Sequence, residues 1–258
     1  RAAGKIAADY FESLSFEVET KHDGTPVTVA DRQAETELRR HIEQAFPDDE
    51  IIGEEFPSRS GNSGYRWILD PIDGTKSFIH GVPLFGTMVG VEHRSRLRDT
   101  TACGSDDESS GECVIGVINL PALNEYVYAA KGGGAWHVKG NGSPKPARVS
   151  SVRRLGESLF VTGSVSAFAN DHRADSFERL RAACKLVRGW GDCYGYVLVA
   201  TGRAEVMVDP VLSIWDMAAL PAILTEAGGT FTNWQGEPTI YGRDGIATNG
   251  HVLNEVLA

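Results

Sequence analysis

The chain has 258 residues, 41% hydrophobic and 23% charged, an ordinary balance for one large core or two closely packed lobes. A formal charge of -10 argues against binding to a phosphate backbone, which needs a basic face, so nucleic acid is not an expected partner. No apolar run approaches the length of about eighteen residues that a spanning helix needs, so no membrane association is expected. The cytoplasm is the default location, with any leader upstream of Arg1 invisible.

Residues 1–14 carry Ile6, Ala7, Tyr10, Phe11 and Leu14 at helical spacing, and the pattern returns over 30–46 until Pro47 stops it. Between these helices, 16–19 alternates like a strand. Gly24, Thr25 and Pro26 form a turn that delivers Val27 to Val29 into the second helix. Asp31 falls in that helix's first turn, where the helix dipole alone favours a carboxylate. Strands follow at 50–53 and 65–69, the second ending in Asp70-Pro71-Ile72-Asp73-Gly74-Thr75. Further strands are expected at 85–92, 113–119 and 125–130, with the polar, serine-rich stretch 94–111 inserted as a surface loop.

The second half alternates strand and helix: strands at 158–161, 185–188 and 205–208, helices at 175–184, 194–201 and 214–227, the last closed by Gly228-Gly229. A layered α/β architecture follows, with a lobe boundary in the Gly/Pro/Ser-rich stretch near 140–150. The N-terminal lobe is 1–145 and the C-terminal lobe 146–258, packed as one compact unit. Cys103, Cys113, Cys184 and Cys193 include no C-x-x-C pair and read as reduced thiols. Cys103 and Cys113 bracket the polar loop and could pair in an oxidising setting.

Chemistry collects where strands end. Asp70 and Asp73 together at the end of an apolar strand would repel and lose hydration, so a proton or a cation must compensate them. Taken alone, Asp-Pro-x-Asp-Gly also suits a plain structural turn, Asp216 a helix cap, and Glu54 a solvated loop position. Four acidic groups at element ends in one α/β chain, Glu54, Asp70, Asp73 and Asp216, instead suggest a shared site for hard cations, Mg²⁺ or Mn²⁺ before Zn²⁺. Two such ions about 4 Å apart could hold a phosphate and ready a water for in-line attack. Gly74 and Thr75 open a short helix whose free N–H groups suit a phosphate. No Ser/His/Asp order or cysteine motif points to a covalent route, and the EF-hand loop pattern is missing. His80 follows the phosphate seat without a partner histidine, and Trp190 reads as a core residue.

Taken together, Gly53-Glu54-Glu55, Asp70 through Phe78, Trp215-Asp216-Met217-Ala218-Ala219 and Glu226-Ala227-Gly228-Gly229 resemble the inositol monophosphatase family over essentially the whole chain. The resemblance implies a layered αβαβα sandwich and Mg²⁺-dependent hydrolysis of small phosphate monoesters with two or three ions. It also implies frequent lithium inhibition and commonly a homodimer. It assigns the metal to Glu54, Asp70, Asp73, Asp216 and the Ile72 carbonyl, the attacking water to Asp31 and Thr75 with Glu54, and the phosphate to Asp73, Gly74 and Thr75. Lys21 matches a lysine that relatives place near the metals. Gly191, Asp192, Cys193 and Asp209 fall at the alcohol side of the substrate. Inositol-type members carry small or hydroxylated residues where this chain has Asp192. Gly191-Asp192-Cys193-Tyr194 is instead similar to the histidinol-phosphate phosphatase branch, whose substrate bears an ammonium and an imidazole. A polyol phosphate remains the alternative substrate, and a catalytically silent binding homologue the alternative class.

Overall fold

The computed structural model describes residues 1–13, 17–21, 24–94 and 111–258. Leu14, Phe16, His22, Cys103 and nearly all of the 94–111 loop therefore lie outside the described residues. The amphipathic helices α1 (Ala2–Ser13) and α2 (Val29–Ala45) pack on each other, with the short antiparallel pair β1 (Val18–Thr20) and β2 (Pro26–Thr28) between them in sequence. Their buried alanines, Ala3, Ala7, Ala30 and Ala34, let the helices approach closely.

The first sheet has seven strands in sequence order: β3 (Glu50–Gly53), β4 (Tyr65–Asp73), β5 (Gly86–His93), β6 (Glu112–Leu120), β7 (Glu125–Ala130), β8 (Ala135–Lys139) and β9 (Lys145–Pro146). β3 and β4 run parallel and every later pair is antiparallel. The short helix α3 (Thr75–Ile79) follows β4. The second half contributes β10 (Leu159–Val161), β11 (Leu186–Arg188), β12 (Val206–Asp209), β13 (Thr230–Thr232) and β14 (Gly245–Thr248), in the sheet order β11-β10-β12-β14-β13. Its helices are α4 (Val165–Asn170), α5 (Ala174–Ala183), α6 (Asp192–Ala200), α7 (Ile214–Met217), α8 (Leu220–Ala227) and α9 (Leu253–Leu257).

α6, α7 and α8 pack on β4 to β8 of the first sheet, and α6 and α8 also on β12, β13 and β14 of the second. The main core, including Ile118, Leu198, Met207, Leu220 and Ala247, fills this middle layer. Phe168, Phe177 and Leu180 of α4 and α5, with Val252 and Val256, cover the far face of the second sheet. The layers therefore run helix, sheet, helix, sheet, helix, which is the expected αβαβα sandwich.

Three local features differ from the sequence reading. Residues 214–227 form two helices instead of one, because Pro221 near the start of α8 has no N–H to carry the hydrogen-bond ladder across the junction. β8, β9, β13 and β14 and the helices α4 and α9 have no counterpart in the sequence reading; they are short, and β14 (Gly-Ile-Ala-Thr) lacks a period-2 pattern because it is buried throughout. β4 does not stop at Leu69 but pairs with β5 as far as Asp73, through a register shift.

That shift builds the site. Asp70 pairs with Met88 and Asp73 with Gly86, so three steps along β4 match two along β5. In a regular strand, residues i and i+3 point to opposite faces. One extra residue at Pro71-Ile72 cancels the alternation and turns both aspartates to the same side. Proline is tolerated there because a bulge needs no ladder N–H. Its carbonyl accepts the Thr87 hydroxyl at 3.0 Å.

Candidate active site

The middle layer closes onto this bulge. Gly90 and Gly116 lie under the α7–α8 junction: a Cβ on Gly116 would sit 2.1 Å from the Ala219 carbonyl oxygen, and one on Gly90 2.4 Å from the Ala218 carbonyl carbon. Only bare backbone lets α7 come this close to the sheet. Asp216 is fixed on α7 as one half of a capping box, its Oδ2 accepting the Ser213 N–H at 2.7 Å.

Asp70, Asp73 and Asp216 thus converge, with one oxygen from each lying within 4.8 Å of the others. Burial pushes all three carboxyls up; repulsion from neighbouring carboxylates adds to the rise of Asp70 and Asp73, which go well above the usual range, whereas the Ser213 N–H, Asp70 and Lys21 oppose the rise of Asp216. Asp70 and Asp216 approach closely enough to share a proton. Asp70 Oδ1 is buried and has no hydrogen-bond partner among the described residues. An oxygen-only cluster with an orphaned buried oxygen fits a hard divalent cation, which would satisfy the lone pairs and cancel the repulsion.

Glu54 stands just outside this trio, at the end of β3. Burial raises its pKa, and Asp216 and Asp31 raise it further against the lowering effect of Lys21. Lys21 Nζ lies 2.7 Å from Glu54 Oε1 and 2.6 Å from Glu55 Oε1. Although burial opposes its charge, the two carboxylates together raise its pKa. The looser sequence correspondence for Lys21 therefore coincides with direct contact to an expected metal ligand.

Asp31 occupies the N3 position of α2. Its Oδ2 accepts both the Thr28 N–H at 2.8 Å and the Thr28 hydroxyl at 2.6 Å, so the first-turn carboxylate expected from the helix dipole also closes a capping box. Burial nevertheless pushes its carboxyl up to about 6, with the Thr28 bonds opposing and nearby Glu55 adding to the rise. β2 lies against α3, where Thr75 Oγ1 donates to the Ile72 carbonyl at 3.0 Å. Gly74 begins α3 at φ 82, a left-handed conformation that favours glycine.

On the other side of the trio, α6 points its first turn at Asp73, and the Cys193 N–H donates to Asp73 Oδ2. Asp192 opens the helix with φ 52, a conformation disfavoured for a side chain. Its Oδ2 is 3.5 Å from Ser77 Oγ and packs against Gly74, where a Cβ would come within 3.1 Å. Burial and then Asp216 raise the Asp192 pKa, while Lys76 lowers it. Gly191 crosses Gly163 so tightly that a Cβ there would lie 1.9 Å from the Gly163 Cα. Asp209 is 7% exposed, with both carboxylate oxygens bonded inside the protein. Trp190, read from sequence as core, is instead 41% exposed in the loop between β11 and α6, where the Arg188 guanidinium lies 6.0 Å from its ring centroid.

The model of the inositol monophosphatase family matches residues 1–258. The chain belongs to that family. It is 42% identical over 255 residues to the histidinol-phosphatase of Chlorobaculum parvum, spanning 99% of this chain and 90% of the relative. It is 36% identical over 256 residues to the histidinol-phosphatase of Streptomyces coelicolor, spanning 99% and 91%. The solved extragenic suppressor protein suhB of Bartonella henselae superposes with a TM-score of 0.83 at 28% identity, covering 99% of this chain and 93% of that one. This inositol monophosphatase family member is a phosphoric monoester hydrolase.

Several supports of the family site escaped sequence reasoning. Glu35, fully buried on α2, accepts the Glu55 N–H at 2.8 Å and the Arg39 Nε–H at 2.7 Å, so it fixes the Glu54-Glu55 corner from behind. Gly53 is required beside it, since a Cβ would meet Glu35 Oε1 at 2.0 Å. The i, i+4 spacing of Glu35 and Arg39 was a visible signal, but the same spacing occurs in solvated helix pairs. Ser77 belongs to the string that carries the resemblance and Tyr196 follows Asp192 by four residues, but only the fold shows that they meet Asp192 and Asp209.

Proposed function

We propose that this chain hydrolyses L-histidinol phosphate to L-histidinol and phosphate, the phosphatase step of histidine biosynthesis, with Mg²⁺ as its working cofactor. The observation that carries the reading is the half-buried Asp192 carboxylate held between Ser77, Gly74 and Gly163, on the same helix turn that bonds Asp73. A carboxylate in that place matches an ammonium-bearing alcohol better than a neutral polyol, and the first relatives are named for that substrate.

Asp70, Asp73, Asp216 and Glu54, with the Ile72 carbonyl, are the groups that would hold two or three Mg²⁺ ions, with Mn²⁺ able to substitute. When bound, such ions polarise the phosphate and make water a competent nucleophile near neutral pH. Asp31 and Thr75 serve the attacking water: Thr75 Oγ1 accepts or relays its proton, and a carboxylate pushed up to about 6 is a stronger base than an ordinary aspartate. The N–H groups of Gly74 and Thr75 at the start of α3 face the phosphate oxygens. Gly191, Asp192 and Cys193 form the alcohol side, with Asp192 paired to the substrate ammonium. Homodimer formation and lithium sensitivity come with this family reading, and a cytoplasmic setting is the default for it.

The test is kcat/KM with Mg²⁺ for histidinol phosphate, inositol monophosphates and an adenylate panel, on wild type and Asp192→Asn. The reading expects histidinol phosphate to be the best substrate, and its KM to rise about tenfold in the variant with little change for inositol phosphate. Equal effects on both substrates would remove the ammonium-pairing role. A wild type that releases phosphate from none of them would favour a silent homologue.

A further inference from the structure

α6 is held at two points one helical turn apart. At its first turn the Cys193 N–H bonds Asp73, while at the next Tyr196, only 2% exposed, donates its hydroxyl to Asp209 Oδ2 at 3.0 Å. Asp209 Oδ1 accepts the Gly163 N–H at 3.0 Å and lies 3.5 Å from the Thr162 hydroxyl. Gly163 in turn forms the floor under Asp192: a Cβ there would stand 3.1 Å from Asp192 Oδ1 and 3.2 Å from Asp209 Oδ1. One buried carboxylate at the end of β12 thus ties the β10 loop to α6, and these two segments together frame Asp192.

We propose that Asp209 is a positioning residue that does not touch the substrate, and that it acts through Tyr196 and Gly163 to set the first turn of α6. Both oxygens are engaged inside the protein, so a substrate hydroxyl would have to displace an existing bond to reach either one. What Asp209 controls is the register of two groups on one helix turn: the Asp192 carboxylate toward the alcohol, and the Cys193 N–H on Asp73. The left-handed backbone of Asp192 makes such a restraint necessary, since an unrestrained aspartate would relax from φ 52. Precise placement at a reacting site is worth orders of magnitude in rate, so a buried tie of this kind affects turnover without contacting the ester. The inference rests on the proposed role of Asp192 at the alcohol side.

The test is a kinetic cycle. Tyr196 is too buried to meet substrate, and Tyr196→Phe removes one hydroxyl while keeping the ring, so it reports positioning alone. The expected result is that Tyr196→Phe raises KM for the best substrate about five- to twentyfold, as Asp209→Asn does. The double variant should be no worse than the stronger single, and the Tyr196→Phe effect on KM should disappear in an Asp192→Asn background. Melting with Mg²⁺ verifies that each variant is folded; if Asp209→Asn does not fold, the Tyr196→Phe and Asp192→Asn cycle decides. A raised KM in Asp209→Asn beside an unchanged KM in Tyr196→Phe would overturn the proposal, as would a Tyr196→Phe effect of equal size with and without Asp192. If wild type prefers another ester, the substrate reading fails by itself and the Tyr196/Asp209 comparison is made with that ester.

Discussion

Lys21 Nζ bridges Glu54 Oε1 and Glu55 Oε1 at 2.7 and 2.6 Å, so an expected metal ligand carries a protein cation of its own. The ammonium offsets part of the negative charge that gathers around Asp70, Asp73 and Asp216. It would also compete for the same oxygen with any divalent ion that Glu54 helps to hold.

Lys21→Gln separates these two effects. Without Mg²⁺ the variant should melt below wild type, by on the order of 1 kcal/mol for a partly exposed pair. With Mg²⁺ the concentration for half-maximal activity should fall severalfold, because the competing cation is gone. Thermal melts and a Mg²⁺ titration of turnover check both halves, and a variant needing more Mg²⁺ would mean that Lys21 aids metal binding.

Buried carboxyls give the metal-free protein a defined pH dependence. Burial pushes Asp31 up to about 6 and Asp209 to about 7, whereas in the unfolded chain both titrate near 4. The stability they contribute is fully present below about pH 4 and is lost as pH rises through 6 to 7, since the unfolded chain releases its protons first. Asp70, Asp73 and Asp216 shift in the same direction. The Mg²⁺-induced rise in Tm should therefore be larger at pH 8 than at pH 5.5, where ligands must lose protons before binding. Asp216→Asn should raise the metal-free Tm by removing one repelling charge, abolish most of the Mg²⁺ shift, and lower activity by more than about a hundredfold. Scanning calorimetry with and without Mg²⁺ at the two pH values checks the first claim, and the same runs on the variant the second.

The glycine bed under α7 and α8 offers a test away from any charged group. A Cβ on Gly116 would lie 2.1 Å from the Ala219 carbonyl oxygen, so Gly116→Ala must push the α7–α8 junction off the sheet. The expected cost is about 1–3 kcal/mol of stability. Because Asp216 moves with α7, the Mg²⁺ requirement should rise as well. A stable variant with unchanged Mg²⁺ dependence would show that the junction has slack.

The expectation of one helix over 214–227 illustrates a limit of periodicity. Apolar spacing continues across Ala218 and Ala219, but Pro221 interrupts the hydrogen bonds, and the break lets α7 turn Asp216 inward independently of α8. Trp190 illustrates another limit, since a tryptophan reads as core from its residue type alone, and only the structure shows that its place between β11 and α6 is exposed.

By itself the sequence determined which elements exist in most places and singled out the acidic side chains that are candidates for one site. Helical spacing, strand runs and the strings around Glu54, Asp70, Asp73 and Asp216 are local properties, and local propensity with motif identity suffices to read them. Only the tertiary structure decided that Asp70, Asp73 and Asp216 meet. A regular strand would send Asp70 and Asp73 to opposite faces, and it takes the paired strand β5 to reveal the extra residue that reunites them. The approach of Asp216 depends on Gly90 and Gly116, far away in sequence, and the ties of Asp209 to Tyr196 and Gly163 cross two elements. Contacts of that kind arise from packing between distant segments, which no window of neighbouring residues encodes.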